Sequence, residues 1–532
     1  MNNYRNPSLL VIAGAVLFSL VFWQEKLGIN TILFDAFILA AIFYLYAEAR
    51  QNAAVRWLLF GHLLCLAMIM LHNTLLSKIA FVVTLAMIAG FASYYHRSAW
   101  FAGGSILLKA ISFPASFIEQ FRFVRRKKRR TGNLSKAIRF AIIPVLLLIV
   151  FFIIYLFANS IFLELASGIG AKLEDLFMAF FNQVSWQWCL FLLLGLYITG
   201  VILLRSKWQY FTKKEQQFRD DLLRTKRSWA ARMSNPLYNL LETVMGRLVS
   251  GMMALKNEHT TGLISLVLLN SLLLVINTID ISYLWFNFNY NGEILLYKMV
   301  HEGTELLIVS IVLAMLVLLF FFKGNLNFYK RNRWLKVGAY LWIAQNIVLV
   351  ISVFLRDYYY IVYYGLAYKR IGVLFFLLMV LIGLATVFLK IWQRKTTYFL
   401  FRVNAWAGIV VLILASCIHW DEFIAGYNLQ RKDKVPLDVA FLLSLSDKTL
   451  PLLDQNRTAI QQRQDELSKG KLTGAFFTPG ICDTCFVEKL QDRELVFMDQ
   501  QQKFSWLSWN YADDYVKKYF RQAMVLPPAP HH

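Results

Sequence analysis

The sequence has few charged residues for its length. Asp, Glu, Lys and Arg make up 16% of its 532 residues, whereas soluble domains carry about 25%. The apolar fraction is 58%, which is far too high for a disordered chain and well above the usual range for a soluble one. These two departures exclude a soluble globular protein and leave a polytopic membrane protein as the fitting class.

Motifs that mark common enzyme classes are also missing. The sequence has no G-x-x-x-x-G-K-[ST] phosphate loop, no G-x-S-x-G elbow and no kinase signature. It has no zinc-finger spacing either, so a nucleic-acid partner is not predicted despite the net charge of +23. No cofactor is predicted. A membrane enzyme with a site built from scattered polar residues is still compatible with these absences.

Long apolar segments are what the sequence does contain. A helix needs about 20 mainly apolar residues to cross the hydrocarbon core, and eleven candidates are present. They lie near 8–23, 31–47, 57–71, 77–95, 140–162, 186–204, 261–281, 304–322, 337–355, 371–389 and 403–419. The first segment lacks a small-residue cleavage site, which predicts a retained helix. We therefore predict an all-α polytopic helix bundle of about eleven transmembrane helices.

The basic residues indicate the orientation of this bundle. Four stretches, 96–139, 205–259, 323–336 and 390–402, hold 31 of the 55 Lys and Arg but only 6 of the 32 Asp and Glu. All four fall on one side if every candidate helix spans, and cytoplasmic loops are the ones enriched in Lys and Arg. The N-terminus is therefore predicted inside, the C-terminal tail outside, and the basicity is attributed to topology.

The chain divides into four blocks along its length. Residues 1–95 are predicted to form a four-helix membrane block, and 96–260 to carry basic cytoplasmic segments around helices five and six. Residues 261–428 form a five-helix block with short turns. The tail, 429–532, is predicted to be a small α-helical extramembrane domain with a disordered Pro-rich end.

Polar residues in the second membrane block are candidates for a functional cavity, because ionisable groups inside a bilayer are costly. An outward-facing cavity could take protons, an ion or a polar headgroup, whereas the alternative is that these side chains only join helices or lie at the interface. A metal is not predicted, since the spacing is not HExxH. The candidate cavity residues are Asn270, Asn277, Asp280, His301, Glu302, Glu305, Asn346, Asp357 and Arg370.

The segment Ile106–Phe123 is predicted to be an amphipathic interfacial helix kinked at Pro114, and a basic run follows it. This run could contact anionic lipid headgroups at the cytoplasmic face, or could act only as a topology anchor. Its residues are Arg125, Arg126, Lys127, Lys128, Arg129 and Arg130. The lipid bilayer, and other membrane proteins, are the partners that this pattern allows.

A Cys-x-x-Cys pair stands in the tail, at Cys482 and Cys485. In an oxidising periplasm these cysteines are predicted to form a disulfide. A redox-active pair and a zinc site are alternatives, but no βαβ pattern surrounds them and further zinc ligands are not evident. Cys65, Cys189 and Cys417 lie in or beside apolar segments and are expected to be packing residues.

Five segments carry a resemblance to a known family. They are LKNEHTTGLISLVLLNSLLLVINTIDISYLWF at 255–286, VHEGTELLIVSIVLAMLVLLFFFKGNLNFYKRN at 300–332, YGLAYKRIGVLFFLLMVLIGL at 364–384, NAWAGIVVLILASCIHWDEFIAGYNL at 404–429, and the later LDVAFLLSLSD. Over residues 250–450 the chain resembles bacterial multi-pass membrane proteins of the domain-of-unknown-function families 4153 and 4173. The resemblance implies an inner-membrane location and brings no established activity, so it assigns no functional residue.

Three functions are compatible with these sequence features. The favoured one is a non-enzymatic scaffold, assembly factor or signal-transmitting protein that couples the cytoplasmic basic segments to the external tail. The second is a transporter of a small or lipid-like substrate through the polar cavity. The third is a membrane enzyme acting on lipid-linked substrates, with His301, Glu302 or Glu305 as acid, base or ligand.

Overall fold

The computed structural model describes residues 7–125, 148, 185–206, 208–224, 254–286, 304–322, 324–432, 437–468 and 485–525. Within these residues the chain is helical, and its β content is an isolated bridge between Asp221 and Lys395. Seven described helices are long and apolar enough to cross a membrane, and three shorter apolar helices accompany them. The prediction of an all-α membrane protein is therefore confirmed. The predicted segment 140–162 lies outside the described residues apart from position 148.

The described helices are numbered here in chain order. From residue 7 to residue 416 the chain contains α1 (Pro7–Phe22), α2 (Ile29–Leu45), α3 (Ala53–Leu71), α4 (Leu75–Ser93), α5 (Ala99–Arg125), α6 (Trp186–Leu203), α7 (Tyr210–Gln216), α8 (Ala254–Asp280), α9 (Thr304–Phe321), α10 (Arg333–Tyr364), α11 (Tyr368–Gln393) and α12 (Thr397–Ser416). The rest contains α13 (Trp420–Gln430), α14 (Val439–Ser444), α15 (Leu450–Gln455), α16 (Arg457–Ser468), α17 (Cys485–Gln502) and α18 (Tyr511–Val525).

Local sequence explains where several helices begin. The hydroxyl of Thr74 accepts a hydrogen bond from the N–H of Ser77 at the start of α4, and Thr396 does the same for Phe399 in α12. Such N-caps satisfy backbone donors that the first turn leaves free. Helix α10 ends at Gly365, whose φ of 81° lies in the left-handed region that glycine adopts most readily.

Helix α10 is longer than its apolar segment predicts. That segment ends near residue 355, but the helix continues to Tyr364 through the tyrosine-rich stretch. Its 32 residues correspond to about 48 Å of helix at about 1.5 Å per residue. This length exceeds a hydrocarbon core of about 30 Å, so part of α10 extends beyond the apolar region.

The chain forms two compact units, each built from segments that are separate in the sequence. The first unit contains residues 1–26, 30–52 and 105–209, and the second contains 27–29, 53–104 and 210–532. In the first unit α1 packs along α6, where the hydroxyl of Thr199 donates to the carbonyl of Val11 at 3.1 Å. Helix α5 continues across Pro114 without ending.

The second unit has two large apolar cores. One lies among α8, α9, α10 and α11, with residues such as Leu266, Ile311 and Leu384. The other joins the tail to the turn between α10 and α11, and it includes Leu366 and Val516. The described part of the tail therefore shares its hydrophobic core with the turn between two membrane helices.

The described part of the tail is helical. Helix α16 is polar, and α17 begins at Cys485 and continues for 18 residues. After α17 the tail continues with a short 3-10 turn at Trp506–Ser508, which is followed by α18.

Candidate functional site

Glu215 is a buried carboxylate in the second unit, only 3% exposed on the short helix α7. One of its oxygens lies 2.6 Å from Nδ1 of His96. The other accepts the Tyr398 hydroxyl at 2.6 Å and the backbone N–H groups of Ser98 at 2.8 Å and Arg97 at 3.1 Å. We call His96, Arg97, Ser98, Glu215 and Tyr398 the Glu215 cluster.

The cluster keeps this carboxyl group ionised. Burial raises the pKa of Glu215, but hydrogen bonds from His96, Tyr398 and the Ser98 N–H outweigh burial and hold the pKa below its usual value. An ionised carboxylate only accepts hydrogen bonds, so Nδ1 of His96 is assigned as the donor. The cluster therefore satisfies a buried negative charge with donors from separate parts of the chain.

The residues that follow α7 contact the same ends of α4 and α12 as the Glu215 cluster. Asp220 lies 3.1 Å from Arg402 and 3.8 Å from Arg97, and the N–H of Thr396 donates to its carbonyl at 2.8 Å. Lys395 and Asp221 form an ion pair at 2.6 Å. A groove of about 580 Å³ follows this segment and is lined by charged residues including Arg97, Arg219 and Asp220.

The tail contacts the opposite ends of α4 and α12. Nζ of Lys448 donates to the carbonyl of Asn73 at 2.7 Å, and the Asn73 amide donates to the carbonyl of Leu27 at 2.9 Å. The rings of His72 and His419 stack with centroids 5.4 Å apart, and His419 Nδ1 lies 2.9 Å from a Glu422 oxygen. We call His72, Asn73, His419, Glu422 and Lys448 the tail clamp.

The electrostatics of the tail clamp favour a neutral His72. Burial lowers the pKa of His72, the neighbouring His419 and Lys448 lower it further, and Glu422 opposes them. The pKa of Glu422 is also lowered, chiefly by its hydrogen bond with His419. A proton on His72 would therefore enter a site that already holds a lysine and a second imidazole.

A second tail contact lies next to the clamp. The N–H of Ile29 donates to the carbonyl of Trp509 at 3.2 Å. A Cβ atom on Gly28 would come within 2.5 Å of the Trp509 carbonyl oxygen and of the Ser508 backbone carbon. Only glycine leaves room for two backbones this close together.

Four of the predicted cavity residues lie along the contact between α8 and α10 or beside it. The Asn270 amide donates to the carbonyl of Gly338 at 3.1 Å, and the Asn277 amide donates to the carbonyl of Gln345 at 3.0 Å. Asp280 pairs with Arg356. Asn346 is buried on α10 and donates to the Trp342 carbonyl of its own helix at 2.7 Å. The bonds of Asn270, Asn277 and Asp280 join two helices, which is the alternative that the sequence left open for them.

The other predicted site residues are placed apart from this contact or fall outside the described residues. Asp357 is buried near the end of α10, and Arg370 donates to the carbonyls of Tyr364 and Gly365 while its guanidinium lies over the Tyr360 ring at 4.2 Å. Glu305 lies in α9, Cys485 begins α17 and Arg125 ends α5, but their side chains are outside the described part. His301, Glu302, Arg126, Lys127, Lys128, Arg129, Arg130 and Cys482 lie outside the described residues altogether. The cavity, the lipid contact and the disulfide stay predictions.

The Glu215 cluster was not predicted from the sequence. Glu215 stands in a mixed-charge stretch, and nothing in its neighbourhood marks it as buried. The one local feature that could have drawn attention to the cluster is that His96 directly follows the apolar segment 77–95. Across the described residues, no group of three His, Cys, Asp or Glu side chains is arranged to hold a metal.

Comparison with known proteins supplies a family without an activity. No curated protein and no solved structure matches the chain. The family model for a domain of unknown function, DUF4153, matches residues 11–456, which extends the resemblance seen at 250–450 over most of the chain. With its apolar helices and this match, the chain is a membrane protein that belongs to the DUF4153 family.

Proposed function

We propose that this protein is a non-enzymatic coupling protein of the bacterial inner membrane, which links its basic cytoplasmic segments to a periplasmic tail as a scaffold or signal transmitter. The observation that carries the proposal is that α4 and α12 are held at both ends. The Glu215 cluster binds one pair of ends, and the tail clamp binds the other.

Charge supports the orientation in this proposal. Arg97, Arg219, Lys395 and Arg402 meet at the end that holds the Glu215 cluster. The guanidinium of Arg394 lies 5.4 Å from the Phe328 ring, so the basic turn near 323–336 belongs to the same end. Basic residues concentrate on the cytoplasmic side of membrane proteins, which favours a cytoplasmic location for this end and a periplasmic one for the tail.

Packing supports transmission between the two ends. The core that holds the tail also contains Ile361, Leu366 and Ile371 from the turn between α10 and α11. Helices whose ends are held by polar contacts can carry a coupling free energy of about 1–3 kcal/mol between distant sites. A change at the Glu215 cluster would then alter how firmly the tail is held.

Hydrogen–deuterium exchange on the full-length protein in lipid nanodiscs tests this coupling. We expect Glu215→Gln to raise exchange at the tail clamp, in peptides covering 72–75 and 446–454, by about two- to tenfold. The matched control is Glu48→Gln, at an exposed glutamate in the other unit. In the reverse direction, Lys448→Met should raise exchange around 94–98 and 210–216.

An increase confined to each variant's own end would refute the coupling. If Glu215→Gln does not yield folded protein, Tyr398→Phe removes a single hydrogen bond from the same carboxylate and permits the same comparison.

A further inference from the structure

The tail presents an aromatic surface beside the membrane helices. Trp506 is 67% exposed, Trp509 43%, Tyr511 56% and Tyr515 49%. We call these four residues the aromatic face. Such a concentration of exposed Trp and Tyr is unusual for the surface of a water-facing domain, where large apolar patches mark a binding surface.

The aromatic face is separate from the tail's own core. Tyr511 and Tyr515 are four residues apart and share one side of α18. Val516 and Phe520, also four residues apart, are buried in the core that the tail shares with the α10–α11 turn. Helix α18 is therefore held by one side, which leaves the side with Tyr511 and Tyr515 exposed.

Several contacts place this face level with the ends of the membrane helices. Helix α18 packs against α3, and the Trp509 carbonyl accepts the N–H of Ile29. Leu27, two residues earlier, accepts the amide of Asn73 in the turn between α3 and α4. Leu71 and Leu75, on either side of that turn, are themselves exposed apolar residues. The aromatic face thus lies at the depth where two apolar helices end.

We infer that the aromatic face binds the lipid headgroup region of the same membrane that the chain occupies. Trp and Tyr concentrate at this depth because their rings are apolar while the indole N–H and phenol O–H reach polar groups. Arg521 is exposed on the same helix and can reach headgroup phosphates. Lipid binding by the aromatic face is a separate property from the coupling between the two ends of the membrane helices.

A second copy of the chain is a less suitable occupant. The centre of a protein–protein interface is depleted in charged residues, whereas α18 carries the ion pair of Asp514 and Lys518, at 2.8 Å, on the same side as the exposed tyrosines. Mixed charges next to Trp and Tyr are compatible with the headgroup layer, where water and phosphates solvate them.

Lipid photo-crosslinking tests the inference. The full-length protein is reconstituted in phosphatidylcholine nanodiscs that contain a small fraction of phosphatidylcholine with a diazirine near its glycerol, irradiated, and digested for mass spectrometry. We expect adducts on peptides covering 505–516, at a yield comparable to peptides around Leu71–Leu75. The polar helix α16 serves as the internal control and should carry few.

A double variant separates the aromatic face from general surface labelling. Trp506→Ser with Tyr511→Ser should lower adduct yield on the remaining residues of 505–516 several-fold without a change in the melting temperature. The matched control is Leu495→Ser, at a residue 61% exposed on α17, which should leave the yield unchanged. Adducts around Leu71–Leu75 with none on 505–516 would overturn the inference.

Discussion

At the scale of single residues, two buried charges, Lys390 and Glu215, have specific polar partners. Lys390 is fully buried on α11, and its Nζ donates to the carbonyl of Phe322 just past the end of α9 at 2.7 Å. Glu215 receives donors from His96, Ser98 and Tyr398. A buried charge without such partners costs several kcal/mol, so each group fixes the elements that supply its partners.

Tyr398→Phe measures how much one donor of the Glu215 cluster contributes. The substitution removes a hydrogen bond to an ionised, buried carboxylate and keeps the ring, so we expect a loss of about 1–2 kcal/mol of stability. Thermal unfolding of the purified protein in detergent should show a lower melting temperature. Tyr358→Phe, at a tyrosine 49% exposed on α10, is the control and should change little. Equal effects of the two variants would contradict the assigned role of Tyr398.

At the scale of elements, residues 27–29, where α2 begins, form a docking point for the tail. Residues 27–29 contact Asn73 through Leu27 and Trp509 through Ile29, and Gly28 lies between them against the Ser508 and Trp509 backbone. These contacts involve backbone atoms, so changing the side chains alone would leave most of them in place. Steric substitution is therefore the better probe.

Gly28→Ala should displace the tail from this docking point. The added methyl group would meet backbone atoms at 2.5–2.6 Å, and forced overpacking of this kind costs about 1–3 kcal/mol. Limited proteolysis of the full-length protein in nanodiscs should cut the variant faster near residues 503–510. Gly426→Ala is the matched control, because its added methyl group would have nothing within 4 Å in helix α13. Resistance equal to wild type in both variants would show that the segment does not hold the tail.

At the scale of the whole molecule, we expect His72 to make tail docking dependent on pH. The pKa of His72 is below its usual value in the docked state, and it returns to about 6.5 when the residue is exposed to water. The contribution of His72 to tail docking is therefore fully present above about pH 6.5. It is lost as the pH falls below that value, because His72 binds a proton more readily in the released state than in the docked state. The lowered pKa of Glu422 acts in the same direction, but below about pH 4.5.

His72→Gln should remove most of this dependence. Between pH 7.5 and 5.5 we expect exchange at 446–454, corrected for intrinsic rates, to rise roughly three- to tenfold in wild type and much less in the variant. The control is His259→Gln, because His259 packs on Tyr329 and not in the tail clamp. This variant should keep the wild-type rise. All proteins are compared in a Glu494→Gln background, since burial and the nearby Asp454 raise the pKa of Glu494 to about 7, which gives the opposite pH trend. An identical rise in wild type and His72→Gln would refute the role of His72.

Composition and apolar periodicity by themselves determined the class of this protein. Segments of Leu, Ile, Val and Phe long enough to span a bilayer must form helices, because lipid offers no partner for free backbone groups. Ten of the eleven predicted segments coincide with described helices, including Ala53–Leu71, which begins four residues earlier than expected. The polar character of Asn270 and Asn277 was also visible, but not whether they line a cavity or join helices.

Tertiary structure decided which helices pack together and which polar groups matter. The block 1–95 reads as continuous, yet α1 packs with α6 while α3 and α4 pack with α12. Glu215 and Tyr398 are 183 residues apart in the chain, and His72 meets His419 only because α3 and α12 end side by side. Hydropathy records how apolar each segment is, whereas packing depends on shape and on hydrogen bonds between segments distant in sequence, which no local pattern encodes.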